Sequence, residues 1–279
     1  DNVPALREAA ARGDALCGTV DSWLIWKLTQ GRVHATDYSN ACRTMLFNVR
    51  TLRWDEELLD LFGVASLRFP EVRFADASFG EAELADPRVP LPITGVLGDS
   101  HASLFGHCGF APGDAKATYG TGTSVMLNIG PTPVDPPQGI VLSIAWGLGG
   151  KVDYVFEGNI HSSADTLKWL HDEVRLFDDY REMEAAACSV PDNGGVYLVP
   201  AFAGLGAPYW AHGVRALITG LERSSSRAHI LRAAEESIAY QVNDLITEMR
   251  RDERVPFASL RVDGGATRDR FLMQFQADI

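Results

Sequence analysis

Three apolar runs in this chain end in glycine and small polar residues: 93–106 (ITGVLGDSHASLFG), 117–124 (ATYGTGTS) and 260–267 (LRVDGGAT). Each reads as a buried strand entering a tight turn, where backbone N–H groups outside the ladder can meet an anion. Glycine suits such turns because a Cβ would block both a positive φ and the close approach of phosphate oxygens. Three such turns point to a nucleotide site. Asp99 stands inside the first run, and a carboxylate beside a phosphate pocket is productive when it binds Mg²⁺ or accepts a proton from an attacking hydroxyl. That chemistry is phosphoryl transfer.

The elements that must position these turns follow from periodicity. Apolar residues at 16, 20, 23, 24 and 28 predict a helix over 16–30 that buries one face, with Gly31 as its stop. A second amphipathic helix is predicted over 54–61, ended by Gly63, with a turn and short strand over 40–48 before it. Prolines 70, 87, 90 and 92 break the next stretch into loop, and an apolar strand over 93–98 follows. From residue 111 short strands alternate with turns (117–119, 124–129, 141–146, 152–156), the pattern of a β-meander, interrupted by a proline-rich exposed loop at 131–139. A helix over 159–170, a strand over 196–200, a glycine-rich loop over 201–210, a long amphipathic helix over 227–249 and a strand over 260–262 complete an α/β chain with a domain boundary near residue 110.

Composition bounds the partners. A formal net charge of −12 disfavours nucleic acid and anionic membranes, which need a clustered basic face. ATP stays compatible, because distant charges are screened beyond about 8 to 10 Å and a local pocket of amides and Mg²⁺ can hold a polyanion. Cysteines 17, 42, 108 and 188 are far apart with no CxxC pair, which suits reduced thiols and a cytoplasmic setting. No run is apolar enough to span a membrane, and the first residues lack the order of a secretory signal.

In order along the chain, GTVDSWLIWKLTQGRVHATDYSNACRTMLFN, GDSHASLFG, ATYGTGTS, VPAFAGLGAPYW and RVDGGATRDRFLMQFQADI resemble the FGGY carbohydrate kinases, most closely the branch that phosphorylates glycerol. The segment 216–221 with His229, Ile230, Ala233 and Glu236 is similar to a family signature, from which Glu235 departs where an apolar residue is usual. The resemblance implies actin- and Hsp70-like, ribonuclease-H-like domains, with 1–110 the later part of a substrate domain and 111–279 most of a nucleotide domain. It also implies that the first domain is incomplete here and that the chain alone transfers little phosphate. The expected activity is ATP- and Mg²⁺-dependent phosphorylation of glycerol or a similar small polyol, by an intact protein that can be a homo-oligomer. A kinase for a larger sugar or alditol, and a nucleotide-binding module that is catalytically silent, are the alternatives.

Residue by residue, the resemblance makes Asp99 the catalytic base and gives it a share in holding Mg-ATP. An aspartate is too weak a base to deprotonate an alcohol in the ground state, so its work is to orient the hydroxyl and take the proton late. Gly120, Thr121 and Gly122 match the turn near the ATP phosphates, and Gly264 and Gly265 a second backbone approach. Asp269 stands where the family carries an adenine-side Asn, Ala164 where a Gly is usual, and Lys168 where a Gln reaches toward the base. Ser100 and Ser124 replace a Gln that bonds a glycerol hydroxyl and a Phe that packs on its carbons, which implies a wider, more polar substrate pocket. Arg88 remains from a glycine-rich regulatory loop whose glycines are absent. His101 and His107 read as structural histidines.

Overall fold

The computed structural model describes residues 3–83 and 91–279; Pro87, Arg88 and Pro90, read above as loop and as the remnant of a regulatory site, lie outside the described residues. The chain divides into two units. The first comprises Asp1–Ala102, Gly130–Pro133 and Ser143–Val155, and the second Ser103–Ile129, Val134–Leu142 and Phe156–Ile279.

In the first unit, helices α1 (Pro4–Ala11) and α2 (Val20–Leu28) precede strand β1 (Ala35–Asp37), which pairs in parallel with β4 (Glu71–Arg73), Ala35 opposite Glu71. Between them lie α3 (Tyr38–Ala41), the antiparallel pair β2 (Phe47–Asn48) and β3 (Arg53–Trp54), and α4 (Glu56–Leu61). Helix α4 begins where the Asp55 carboxylate accepts the Leu58 N–H at 3.2 Å and ends before Gly63, whose φ of +67° suits a left-handed stop. Strands β5 (Glu81–Ala82) and β6 (Leu91–Pro92) pair antiparallel. One buried cluster joins Ile25, Ala35 and Phe79, with Val33, Ala77, Ile93 and Val96 packed around them. Helix α5 (Asp99–Gly106) starts in this unit.

A five-stranded sheet has the order β13-β7-β8-β10-β9, made of β7 (Asp114–Tyr119), β8 (Thr123–Gly130), β9 (Val141–Leu148), β10 (Lys151–Ile160) and β13 (Ser259–Gly264); the second unit holds β7, β13 and residues 123–129 of β8, with residues 141–142 of β9 and 156–160 of β10. Strand β7 runs antiparallel to β8, Thr118 opposite Ser124, and parallel to β13, Val262 opposite Ala117. Residues 125–130 of β8 are buried without alternation, the pattern of a strand covered on both faces. Helices α6 (Ala164–Asp172), α7 (Tyr180–Cys188), α8 (Arg227–Met249) and α9 (Arg270–Asp278), with the pair β11 (Tyr197–Val199) and β12 (Leu217–Thr219), complete the second unit. Helix α8 matches its predicted span and buries Leu231, Ala234, Ile238, Val242 and Leu245. It sits close over β10: a Cβ on Gly158 would lie 2.6 Å from the Leu245 side chain.

Four expectations need correction. The 16–30 helix starts only at Val20, and its buried face is Ser22 and Ile25, whereas Val20, Trp23 and Leu24 are 76%, 60% and 53% exposed. Ile25 is drawn into the core against Phe79 and Ala35, which rotates the apolar stripe read from the sequence outward. The run 93–98 is not a strand; it is held irregularly, Phe79 N–H donating to Ile93 O at 2.8 Å and Val96 N–H to Ala75 O at 3.0 Å. Residues 159–160 end strand β10 and the helix begins at Ala164. The strands do not form a meander, because β10 lies between β8 and β9 in the sheet. Local pattern cannot tell a neighbour in sequence from a neighbour in space.

Candidate active site

In the first unit Asp99 opens helix α5 rather than sitting in a turn between strands, and its carboxylate is exposed. The Ser100 N–H donates to Asp99 Oδ1 at 2.6 Å, which orients the carboxylate. The preceding Gly98 is fixed on both sides: its N–H donates to Ser39 Oγ at 2.8 Å, its carbonyl accepts from Ala102 N–H at 2.7 Å. A Cβ there would lie 2.9 Å from His101 Nδ1, so the close fit of buried His101 requires glycine. Ser39 is itself held by the fully buried Asp37, whose carboxylate accepts its N–H at 2.9 Å and that of Asn40 at 3.1 Å. Burial pushes Asp37 up, and these hydrogen bonds oppose it. The resulting chain Asp37–Ser39–Gly98 positions the start of α5.

The second unit contains a cavity of about 730 Å³ at the ends of β7 and β13. Of the residues read from the sequence, Gly120, Thr121, Ala164, Gly265 and Asp269 line it. Gly122, Lys168 and Gly264 are not among the lining residues. Gly122 and Gly264 serve chain approach instead: a Cβ on the first would lie 2.3 Å from Ile160 O, and on the second 2.2 Å from Tyr119 O. Lys168 is on the exposed face of α6, paired with Asp172 one turn on. The 120–122 turn also spends part of its polarity internally. Gly120 N–H donates to Gly122 O at 2.9 Å, and the carbonyls of Gly120 and Thr121 cap α6 by accepting from Ala164 N–H at 3.2 Å and Ser163 N–H at 2.9 Å.

The space beside Gly265 is what a ligand would use. Nothing lies within 4 Å of a Cβ built there, although the residue lines the cavity. Arg181 and Arg268 bring positive charge to the same wall, and Leu167, Tyr180 and Met183 bring apolar surface. Cations, an open glycine and an apolar side together fit a nucleotide. Helix α7, which supplies Tyr180, Arg181, Met183 and Glu184, escaped sequence reading. Its one local signal is Asp179, which caps it by accepting from Arg181 N–H at 2.6 Å; nothing local shows that the helix folds beside the turns.

Beneath the glycine turns runs a polar layer that sequence also did not reveal. Fully buried Lys116 donates to Thr118 Oγ1 at 3.0 Å and to Ser124 Oγ at 3.3 Å. Ser103 donates to Asp263 Oδ2 at 2.8 Å, and His107 Nε2 lies 3.0 Å from the same oxygen. Burial pushes Asp263 up, but hydrogen bonds from Thr118, Ser103 and His107 outweigh it and hold the carboxyl below its usual range. A depressed carboxylate stabilises the fold above its ordinary pKa and loses that contribution as pH falls. Asp263→Asn is therefore expected to lower Tm at pH 7, with the difference from the unsubstituted protein narrowing as pH falls toward about 3; a thermal melt at each pH checks it. His107, read as structural, does have a definite partner.

Among the described residues no group of three or more His, Cys, Asp or Glu could hold a metal ion by itself. Mg²⁺ with one or two carboxylates and nucleotide phosphates needs no such group.

Residues 1–106 match the N-terminal domain, and residues 115–279 the C-terminal domain, of the FGGY family of carbohydrate kinases, and the chain belongs to that family. It is 53% identical to glycerol kinase 1 of Thermotoga maritima, over all of this chain and 57% of that protein, and 51% identical to the glycerol kinase of Symbiobacterium thermophilum, over all of this chain and 56% of that one. The chain thus spans a little over half the length of these relatives. The crystal structure of Plasmodium falciparum glycerol kinase with ADP superposes with a TM-score of 0.91 at 34% identity, covering 99% of this chain and 55% of that one. A ligand-bound xylulose kinase from Lactobacillus acidophilus, at TM-score 0.80 and 19% identity, covers 92% of this chain and 52% of that one and shares the fold. The α/β, actin-like architecture expected from the sequence is the one these kinases have.

Proposed function

We propose that the protein carrying this chain transfers the γ-phosphoryl group of ATP to a hydroxyl of glycerol or a similar small polyol. The observation that carries this reading is the cavity of the second unit, with Gly265 open, Gly120 and Thr121 at its edge and Arg181 and Arg268 in its wall. The identity to glycerol kinases and the likeness to a glycerol kinase crystallised with ADP support it. In this reading Gly120, Thr121, Gly265, Ala164 and Asp269 surround the nucleotide, while Gly122 and Gly264 shape the turns and Lys168 takes at most a peripheral part. Asp99 accepts the proton of the attacking hydroxyl as that oxygen bonds to the γ-phosphorus and the bond to the β-phosphate oxygen breaks. Mg²⁺, when bound with ATP, neutralises phosphate charge, and Asp99 is the residue proposed to share in holding it. The reaction is that of a metabolic kinase, and a cytoplasmic setting belongs to the same proposal.

The test is phosphoryl transfer from ATP by the full-length protein with a panel of glycerol, tetritols and pentoses. Transfer to glycerol is the expected result; no transfer to any of them overturns the reading. Ser100 and Ser124 favour acceptance of the longer polyols, because both are small. Ser124 is also committed to Lys116, so a bulky residue there would strip a buried ammonium of one acceptor. Ser100→Gln alone is accordingly the cleaner change. It is expected to raise kcat/KM for glycerol relative to the tetritols several-fold, the scale of one hydrogen bond, and steady-state kinetics on both substrates decide it.

A further inference from the structure

Glu235, on α8, has no exposed surface, and neither of its carboxyl oxygens meets an N–H or hydroxyl donor among the described residues. Such a group is costly to bury as an anion. Its surroundings make ionisation worse. Asp269, the N-cap of α9, stands beside it, and Glu184 and Cys188 face it from α7. Asp269 Oδ1 accepts the Leu272 N–H at 2.9 Å, and Glu184 Oε1 accepts the Arg270 N–H at 3.2 Å. Arg232, on the same helix, acts against this but is committed elsewhere: Nε to Glu236 at 2.8 Å, Nη1 to Val190 O at 2.7 Å, and its guanidinium over the Phe271 ring at 4.9 Å. Burial, reinforced by Asp269, pushes Glu235 up to about 9. Burial pushes Asp269 up as well.

Asp269 and Glu184 both line the cavity, so the protonation of Glu235 sets the charge of a cavity wall. We propose that Glu235 and Asp269 hold one proton between them at that wall, and that loss of this proton weakens nucleotide binding. The inference rests on the reading of the cavity as a nucleotide site. With the proton in place the pair carries one negative charge and keeps an O–H between its oxygens. Without it, a second negative charge stands in a poorly screened wall beside a polyanion, where like charges repel far more than in water. Glu235 touches no part of the cavity itself; it acts through Asp269 as a positioning residue.

Calorimetric titration with ADP at pH 7.5 and 9.5 tests this, since the phosphates are already ionised across that range. Between the two pH values the Kd of the unsubstituted protein is expected to rise at least about threefold more than that of Glu235→Gln, which keeps the shape and cannot ionise. Burial and the neighbouring carboxylates push the Cys188 thiol up, which favours its neutral form. Equal pH profiles overturn the proposal. A second readout needs no nucleotide. The folded protein keeps the Glu235 proton up to about 9, whereas the unfolded chain loses it near the ordinary carboxylate value of about 4.3. Stability therefore falls as pH rises through that window. Glu235→Gln or Glu235→Leu is expected to melt higher than the unsubstituted protein at pH 8, with the gap shrinking toward pH 5. A gap that does not change with pH overturns the shared proton. If ADP binds at no pH while the gap changes as expected, the proton stands and the nucleotide reading of the cavity falls.

Discussion

Asp99→Asn is expected to lower kcat at least about a hundredfold in the full-length protein while leaving ADP affinity within about twofold, the scale of losing a general base. The substitution is close to isosteric. An amide oxygen can still accept the Ser100 N–H that now meets Oδ1 at 2.6 Å, and the Gly98 anchors to Ser39 and Ala102 involve only the backbone of the turn. The start of α5 should therefore keep its shape, and what is lost is an oxygen that can carry away a proton. Rapid-quench or coupled-assay kinetics beside an ADP titration separate the two effects. A kcat near that of the unsubstituted protein would remove Asp99 from the chemistry, and a parallel loss of ADP affinity would make it a binding residue instead.

Gly264→Ala is expected to destabilise the protein by about 3 to 5 kcal/mol, combining a backbone region that only glycine occupies freely with an overpacked contact. Gly264 has φ +99° and ψ 172°, and a Cβ would lie 2.2 Å from the carbonyl oxygen and 2.7 Å from the carbonyl carbon of Tyr119. Those are backbone atoms of the strand paired with it in register, so neither can yield without parting β13 from β7. The cost should appear as a Tm lower by roughly 6 to 20 °C and, because Tyr119 and Gly265 both border the cavity, as an ADP affinity at least about tenfold weaker. Gly265→Ala is the matched contrast. Its Cβ meets nothing in the protein, so the fold should keep its Tm while the methyl group intrudes on the ligand. Equal melting behaviour in the two variants would contradict this division of labour between adjacent glycines.

These two glycines show how far the residues speak for themselves. The run LRVDGGAT announces a strand, a turn and an unusual backbone, because glycine beside glycine after an apolar run has few other uses. Which of the pair meets the neighbouring strand and which meets open space is decided only when β13 lies parallel to β7, a pairing between segments more than a hundred residues apart. The same holds for Asp99. Its type and its place among glycines mark it for chemistry, yet its position at the head of a helix, held through Ser39 and Asp37, depends on contacts that no local pattern encodes.

By itself the sequence determined the α/β class, the span of the long helix 227–249, the strand end at 119 and the glycine turn that follows it, because periodicity and backbone freedom are local properties; it ended the last strand at 262, two residues short of Gly264. It misplaced the buried face of α2 and the neighbours of β10, because the direction in which an apolar stripe is buried and the order of strands in a sheet are set by what else competes for the same space. Only the tertiary structure placed buried Lys116 under Ser124, brought α7 to the cavity and set Glu235, with no N–H or hydroxyl donor to its carboxyl among the described residues, beside Asp269. In the sequence Glu235 is one polar residue on a helix. Its burial against two other carboxyl groups, and the proton that burial retains, come from helices α7, α8 and α9 closing on one another and excluding water.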